Sequence, residues 1–368
     1  MYKKKIIAFL AILLVFLILG CGLAGCSSGC TDQTPSASLE TEQAMITVVD
    51  SFGRKVSVPK EVTRIAALYS FAGYTVSLLG RGSDLIAVPG GLQRDLLLME
   101  IFPEIADAAV PRVSGKINIE ELMRVSPDLV IIRGDTAADK KELEKLGNSG
   151  IPYIIVEYST IEEQQEAVSI IGKAIGRTAE AEKYNAYYNK ILQMVDEAVS
   201  AIPPEERTRV YHSENQPTRT IHRDSIAADW SKAAGIINVS INAELELIGN
   251  DYYCSLEQVL MWDPEVIIAN ENSALAYIKG NPQWSGIKAV QNNRVYQLPL
   301  GISRWGHPGS VEIPLAVLWT AKTVYPEILT TVNMAEEVDN FYRTFFNFEL
   351  SDEQIEKILK GEGLREPK

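Results

Sequence analysis

Histidine and cysteine are scarce in this chain of 368 residues, which has three of the former and four of the latter. The cysteines show no CxxC spacing of the kind that holds zinc. So few soft ligands argue against a cage for a first-row metal cation, although carboxylates remain available as ligands. We therefore predict no metal centre. The residues concerned are His212, His222, His307, Cys21, Cys26, Cys30 and Cys254.

The signatures of common enzyme active sites are also missing from the sequence. It has no GxSxG elbow, no HExxH and no P-loop, and "GRGSDL" at Gly80 stops short of the dinucleotide-binding glycine pattern. Isolated serines and histidines do not make a catalytic triad without the right geometry. The sequence thus predicts a protein that is not an enzyme and has no cofactor.

Positive charge is in deficit, because the net charge is −13. This argues against nucleic acid and against an anionic membrane surface as partners. It leaves room for a local basic site. The apolar fraction of 46% and the charged fraction of 23% are those of a globular protein.

The N-terminal residues have the pattern of an export signal. Lys3-Lys4-Lys5 precedes an apolar run from residue 6 to residue 19, which is short for a membrane span. Leu23-Ala24-Gly25-Cys26 follows and resembles the bacterial lipobox. We predict a signal peptide over residues 1–25 and lipid attachment at Cys26. The alternatives are processing at Gly20-Cys21 and an uncleaved membrane anchor.

A polar stretch rich in serine and threonine follows the lipobox. We interpret residues 26–45 as a flexible tether. The folded body would then lie outside the cytoplasmic membrane, held there by lipid.

One short unit occurs twice in the body. "INIEELMRVSPDLVII" begins at Ile117 and "CSLEQVLMWDPEVIIA" at Cys254, and they align without a gap. Asn118 and Ser255 are good N-caps for a short helix, proline ends that helix, and the apolar run suits a buried parallel strand. Any two βα units share some likeness, but this repeat favours two similar α/β lobes.

The rest of the pattern divides the body into three parts. Apolar residues at helical spacing, among them Tyr184, Tyr188, Ile191 and Val195, predict one long helix over Thr178–Ile202. The predicted parts are an N-terminal α/β lobe over residues 46–177, this linking helix over residues 178–202 and a C-terminal α/β lobe over residues 203–368. We predict that the stiff helix resists wide opening of the lobes.

These features together resemble a known family. The lipobox, the tether, "DSFGRKVSVP" and the two repeated units resemble the substrate-binding lipoproteins of ABC importers for iron–siderophores, haem and cobalamin. They are the rigid-helix, class III periplasmic binding proteins. The resemblance covers essentially the whole mature chain. It implies an α/β fold of two lobes joined by one long α-helix, with the ligand cleft between the lobes.

The resemblance also gives a role to the repeated units. In that family a glutamate on each lobe meets arginines of the membrane permease, and the matching positions here are Glu120 and Glu257. Two exposed carboxylates related by pseudo-symmetry suit a two-fold symmetric partner. The alternative is that a glutamate in the first helical turn simply favours the helix dipole.

We expect the ligand site at loops that leave the C-terminal ends of strands. The loop from Gly301 to Ser310 is the most unusual, because it concentrates three chemically capable side chains. Arg304 would pair an anionic oxygen, Trp305 would offer a flat apolar face, and His307 would donate a hydrogen bond or complete a metal's coordination. In the alternative, Trp305 packs the lobe and His307 caps a helix. The predicted ligand-binding residues are Tyr69, Gly91, Ser114, Arg133, Tyr158, His212, Asn270, Arg304, Trp305 and His307.

The sequence therefore predicts a monomeric, lipid-anchored, extracytoplasmic protein that captures a ferric siderophore or similar metal chelate. Its partners would be that chelate and an ABC permease with its cytoplasmic ATPase. A haem or corrinoid ligand on the same scaffold is the first alternative, and a direct binder of metal ions or oxyanions is another. A surface sensor or adhesion lipoprotein without transport is the alternative from a different class.

Overall fold

The first parallel sheet has four strands and the order β4-β3-β7-β8. The central strands are almost wholly buried, which matches their continuous apolar sequence. A two-stranded antiparallel hairpin precedes this sheet, and a second short hairpin, β5–β6, lies within the same part of the chain. The strands are β1 Met45–Val49, β2 Lys55–Pro59, β3 Ile65–Ala67, β4 Leu85–Ala87, β5 Arg112–Val113, β6 Lys116–Ile117, β7 Leu129–Arg133 and β8 Tyr153–Val156.

Six α-helices accompany these strands. Asn118 caps the third by accepting from the amide of Glu121, as predicted, and Thr160 and Glu163 form a capping box at the start of the sixth. The fifth ends at Gly150, whose φ of 73° favours glycine. The helices are α1 Ser70–Val76, α2 Leu96–Ile101, α3 Ile119–Arg124, α4 Gly134–Ala138, α5 Lys140–Ser149 and α6 Ile161–Ala174.

The long helix predicted from periodicity is present as α7, Thr178–Val199. It ends three residues before the predicted boundary at Ile202. One face is buried, and its tyrosines bond in two directions. The hydroxyl of Tyr184 donates to the carbonyl of Val311 at 2.8 Å, and that of Tyr188 donates to Oε1 of Gln164 in α6 at 3.4 Å.

The second parallel sheet repeats the order of the first. Its strands follow β11-β9-β14-β15, so in both sheets the first strand along the chain lies between the second and the third. The repeated sequence unit forms equivalent parts of the two sheets, because α3 leads into β7 and the ninth helix leads into β14. The strands are β9 Arg209–Ser213, β11 Ile237–Asn238, β14 Val266–Ala269 and β15 Val295–Gln297.

A three-stranded antiparallel sheet, which the sequence analysis did not predict, stands beside the second parallel sheet. It consists of β10 Arg219–Thr220, β12 Glu246–Ile248 and β13 Asp251–Tyr253. The remaining helices are α8 Ile226–Ala233, α9 Leu256–Trp262, α10 Asn272–Gly280, α11 Lys288–Gln291, α12 Ile313–Val324, α13 Met334–Phe346 and α14 Asp352–Lys360.

This computed structural model describes residues 44–362, 364 and 365. The predicted signal peptide, the lipidation site at Cys26 and most of the tether lie outside the described residues. The described residues belong to one compact unit over residues 43–368. Within the described part, no helix is long and apolar enough to cross a bilayer. The α/β fold with parallel sheets and a long helix is confirmed, whereas the predicted domain boundaries stay predictions.

Candidate functional site

A cavity of about 360 Å³ lies where loops after the strands of both parallel sheets meet. Such crevices, at the C-terminal ends of strands, are the usual ligand sites of α/β sheets. From the first sheet it receives Arg133 and Tyr158, which follow or end β7 and β8. From the second half of the chain come Glu214, Arg219, His222, Asp224, Asn250, Asp251, Tyr252, His307 and Pro308.

A chain of hydrogen bonds crosses from one half of the chain to the other beside this cavity. The hydroxyl groups of Tyr69 and Tyr158 lie 3.2 Å apart, and Tyr158 donates to the carbonyl of Pro308. Arg133 stands with its guanidinium carbon 5.2 Å from the centre of the Tyr69 ring and its Nε 3.4 Å from Glu157. The structure therefore brings Tyr69, Arg133 and Tyr158 together, and their role in ligand binding stays a prediction.

The opposite wall carries an arginine that the sequence analysis missed. Nε of Arg219 lies 3.1 Å from Glu214, and its Nη2 lies 2.7 Å from Asp251 in β13. Tyr252, from the same strand, stacks on His222 with ring centres 4.0 Å apart. The unpredicted antiparallel sheet thus builds this wall.

The loop from Gly301 to Ser310 supplies the third side. Arg304 donates to Asn215 at 3.0 Å and forms an ion pair with Glu271. His307 lines the main cavity and also a second, smaller cavity of about 40 Å³. The smaller cavity is lined by Ser70, Tyr74, Ser303, Arg304, His307, Gly309, Ser310 and Arg365.

A buried acid holds this loop in place. Glu312 accepts hydrogen bonds from the amide of Ser303 at 2.8 Å and from the hydroxyl of Tyr342 at 2.7 Å. Burial raises the pKa of Glu312, while the hydroxyl groups of Ser303 and Tyr342 oppose that rise. Gly306 has a φ of 71° and lies against Trp230, where a Cβ atom would come within 2.8 Å of the indole.

The electrostatic field at His307 is positive. Burial lowers the pKa of His307 well below its usual value, and the guanidinium groups of four arginines lower that pKa further. The imidazole is therefore neutral at neutral pH. Each of these arginines also contacts a carboxylate, so the positive charge beside His307 is largely paired. The arginines are Arg304, Arg219, Arg365 and Arg133.

Three of the predicted site residues lie in the protein interior instead. Trp305 is 0% exposed and belongs to the main core cluster, so it offers no open face to the cavity. His212 is buried with its Nε2 at 2.7 Å from Oδ1 of Asn270, and burial lowers the pKa of His212 to about 4. All three side chains are buried, and none of them lines the main cavity.

The other two predicted residues lie apart from the cavity walls. Ser114 is exposed in the turn of the β5–β6 hairpin, with a φ of 49°. Gly91 accepts from Nη2 of Arg365 at 3.1 Å, and so touches the site only through that arginine. Arg219, His222 and Arg365 were missed because pairing over long sequence distances, which no local pattern reveals, brings them here.

The two glutamates of the repeated units are exposed, each in the first turn of its helix. The pKa of Glu257 is lowered by hydrogen bonds from its own amide and from Ser255, so its side chain is charged at neutral pH. Neither Glu120 nor Glu257 lines the cavity. Among the described residues, no group of three or more His, Cys, Asp or Glu side chains has the geometry to hold a metal ion.

The chain is similar to known binding proteins over most of its length. Residues 105–300, more than half of the chain, match the family model described as periplasmic binding protein. The molybdate-binding protein MolA of Haemophilus influenzae is 22% identical over 81% of this chain and 90% of its own length. Its molybdate-bound structure superposes with a TM-score of 0.74, covering 83% of this chain and 99% of that one, at 19% identity.

Two relatives from Bacillus subtilis also match most of the chain. The ABC transporter substrate-binding lipoprotein YvrC is 21% identical over 88% of this chain and 98% of its own length. The Fe(3+)-citrate-binding protein YfmC is 24% identical over 80% of this chain and 90% of its own length. The names of these relatives cover both a metal chelate and a bare oxyanion.

Proposed function

This chain belongs to the periplasmic binding protein family and is a substrate-binding protein of an ABC transporter, and from that premise we propose that its ligand is a ferric siderophore or similar metal chelate that presents anionic oxygen atoms. The observation that carries the proposal is the set of four arginines whose charges act on His307, between the two cavities. The protein binds and delivers this ligand and does not transform it.

Each of these arginines already has a carboxylate partner, and the partners decide how the site works. Arg365 pairs with Asp95, whose side chain is 0% exposed, and Arg219 also contacts Glu214, which is 11% exposed. In contrast, Glu157, Asp251 and Glu271 have side chains that are 35%, 36% and 37% exposed, so their ion pairs with Arg133, Arg219 and Arg304 are hydrated and weak. A guanidinium group has five N–H donors, and one carboxylate does not use them all. A ligand oxygen can therefore add to, or replace, these partners at little cost.

The volume of the main cavity favours a compact ligand. Ligand pockets usually enclose ~300–1,000 Å³, and about 360 Å³ is near the lower end of that range. This supports a compact chelate over haem or a corrinoid, which remain the alternatives on this scaffold.

A free oxyanion is the second candidate, and one observation favours it. The cavity of about 40 Å³ beside His307 has room for a few water-sized groups and none for a chelate. Arg304, Arg365 and three serines line it, which is a donor set suited to a small tetrahedral anion. The molybdate named for MolA has this chemistry.

The transport role adds three further parts to the proposal. Lipid at Cys26 anchors the protein, as a monomer, outside the cytoplasmic membrane. Glu120 and Glu257 dock on the permease, whose ATPase lies in the cytoplasm. A sensor or adhesion lipoprotein would share the fold and the anchor but would have no permease to dock on.

Native mass spectrometry of the purified protein tests the ligand. The panel comprises ferric complexes of a hydroxamate, a catecholate and citrate, together with haem, cobalamin and molybdate. We expect one of the ferric complexes to be retained at a ratio of one to one. Retention of haem or cobalamin alone contradicts the chelate proposal, and retention of molybdate alone establishes the second candidate.

A further inference from the structure

A separate cavity of about 400 Å³ lies in the second half of the chain and shares no lining residue with the main cavity or with the smaller one. The loop from Asn215 to Thr218, α10 and the short 3-10 turn Pro282–Trp284 form most of its walls. None of its lining residues carries a charge, although 23% of the residues in the chain do. An ionic ligand would find no charged partner in this uncharged cavity, so the cavity suits a neutral ligand.

Several polar side chains of the uncharged cavity have no partner. Among residues 44–362, 364 and 365, no group forms a hydrogen bond with the side chains of Gln216, Ser273, Tyr277 or Gln283. The indole N–H of Trp284 is also unpaired there, although that residue is only 1% exposed. A donor on so buried a side chain requires an acceptor, and the cavity that Trp284 lines has room for one. Because amides and hydroxyl groups both donate and accept, this set fits a ligand rich in hydroxyl groups.

The backbone of the cavity walls is fixed by hydrogen bonds of its own. In the loop, the carbonyl of Pro217 accepts from the hydroxyl of the buried Tyr211 at 2.9 Å. At the opposite wall, the amide of Gln283 donates to Oδ1 of Asn281 at 2.9 Å. The walls are therefore formed before a ligand arrives, which lowers the entropy that binding must remove.

Tyr277 gives the cavity an aromatic face. It lies on α10 with 50% of its surface exposed, and within the described part of the chain no other aromatic ring stacks on it. The C–H groups on one face of a sugar ring are apolar and pack against such a ring, while the hydroxyl groups at the edge of the sugar stay free to bond. The amides of Gln216 and Gln283 line the same cavity and can accept or donate those bonds.

A peptide is the competing neutral ligand. Peptides are recognised at open strand edges or in grooves that take apolar side chains. None of the residues that line this cavity belongs to a strand, and the exposed ones beside Tyr277 are polar, namely Gln216, Ser273 and Gln283. We propose that the uncharged cavity is a second binding site, specific for a neutral saccharide of about one or two rings. The saccharide is either free or part of a glycan polymer, and the proposal does not depend on the ligand of the main cavity.

Titration and saturation-transfer NMR of the purified full chain test this site. The neutral probes are maltose, cellobiose and N,N′-diacetylchitobiose. A sulfated uronate disaccharide is the charged counterpart, and a tripeptide of alanine with blocked ends represents a peptide. We expect at least one neutral disaccharide to bind with a Kd of about 1 mM or below, and its ring C–H protons to receive saturation.

Variants of Tyr277 locate the bound saccharide. Tyr277→Ala should weaken binding about tenfold, whereas Tyr277→Phe keeps the aromatic face and should weaken it by less than about threefold. Phe52→Ala is the matched control, because it removes an exposed aromatic ring between β1 and β2 in the first half of the chain. It should bind like the wild type. Both replaced rings are exposed, so all three variants should melt at the temperature of the wild type.

Sedimentation with insoluble peptidoglycan distinguishes the two sources of the saccharide. Co-sedimentation that is lost in Tyr277→Ala and competed by the bound disaccharide supports a site for a glycan polymer. A protein that binds the disaccharide and stays in the supernatant supports a site for a free saccharide.

Three results would overturn the proposal. The first is a disaccharide affinity that Tyr277→Ala leaves unchanged, because the saccharide would then bind elsewhere. The second is an affinity for the charged disaccharide or for the tripeptide that equals or exceeds the affinity for every neutral disaccharide. The third is the absence of binding by all of these probes, whatever the main cavity binds.

Discussion

Arg365 lies with its Nη1 2.6 Å from Oδ1 of Asp95, although 270 residues separate them in the chain. The amide of Leu96 also donates to the carbonyl of Leu364 at 3.0 Å. These contacts tie the last described residues to the segment that leads into α2. They also bring a second guanidinium group, beside that of Arg304, to the small cavity next to His307.

Because Asp95, the carboxylate of this ion pair, is buried, we expect the stability of the protein to depend on pH. Burial raises the pKa of Asp95 to about 7, although Arg365 opposes that rise. The folded state thus binds this proton more tightly than the unfolded state does. Its contribution to the free energy of unfolding is full below about pH 4 and is lost as the pH rises through 7, with a magnitude on the order of 2–4 kcal/mol.

Melting curves of the wild type and of Asp95→Asn between pH 4 and pH 8 measure this contribution. Asparagine does not titrate. The melting temperature of the variant should therefore rise relative to that of the wild type as the pH increases. A difference that is constant across this range would show that Asp95 has an ordinary pKa.

Trp305 provides a test that separates packing from binding. Its side chain is fully buried in the core, so Trp305→Ala should lower the free energy of unfolding by about 3–5 kcal/mol. Affinity in the protein that remains folded should stay near that of the wild type. Thermal melting and ligand titration measure the two effects, with the half-buried Trp262→Ala as the matched control. A large loss of affinity without a loss of stability would show instead that Trp305 contacts the ligand.

The local parts of the fold were predictable from sequence. Asn118 and Ser255 cap their helices because capping depends on residues three positions apart. The helix from Thr178 was found because its buried face repeats at helical spacing. Tyr69, Arg133 and Tyr158 were found because strand ends in parallel sheets converge at one edge.

The parts that depend on distant pairing were not predictable. Strands of two or three residues, such as β10 and β13, are too short to show an alternating pattern. Arg365 finds its place only through Asp95, and Arg219 only through the antiparallel sheet. For Trp305 the sequence left two interpretations open, and its burial supports the one in which it packs the lobe, because this loop turns inward.

If Glu120 and Glu257 dock on the permease, replacing both should reduce transport without reducing the affinity for the ligand. The double change Glu120→Ala and Glu257→Ala removes two exposed carboxylates that lie outside the cavity. We expect weaker stimulation of the reconstituted transporter's ATPase, an unchanged ligand affinity, and a double variant clearly worse than either single one. The control is Glu353→Ala with Glu356→Ala, an equal change in charge on exposed residues of α14. Equal stimulation by both double variants would show that Glu120 and Glu257 do not dock on the permease and only stabilise their helices.

If Cys26 carries lipid, the N-terminal peptide should have the mass of an acylated cysteine and the protein should be found in the membrane fraction. The N-terminal peptide of the protein recovered from membranes should begin at Cys26 and carry two or three acyl chains, because one chain anchors only marginally. Cys26→Ala should release the protein or leave its signal peptide uncleaved, and Cys30→Ala is the matched control. A wild-type chain found in the soluble fraction, with no lipid on its N-terminal peptide, would disprove the anchor.

The long helix α7 predicts that the two halves of the protein move little on binding. Three contacts resist opening, namely Tyr184 to Val311 at 2.8 Å, Gln164 to Ser310 at 3.1 Å and Tyr158 to Pro308. We expect the radius of gyration from small-angle scattering to change by less than ~1 Å when ligand is added. A contraction as large as that of binding proteins with hinge strands would contradict this.

Softening the helix should reveal the motion that its stiffness suppresses. Lys190 and Gln193 are exposed on α7, so glycine at both positions weakens the helix by roughly 1 kcal/mol each without touching the core. Alanine at the same positions removes the same side chains and keeps the helix stiff. The free glycine variant should be more expanded than the free alanine variant, and its ligand affinity should be lower because part of the binding energy must now close it. If the two variants scatter alike and bind alike, the contacts between the halves, and not α7, set the rigidity.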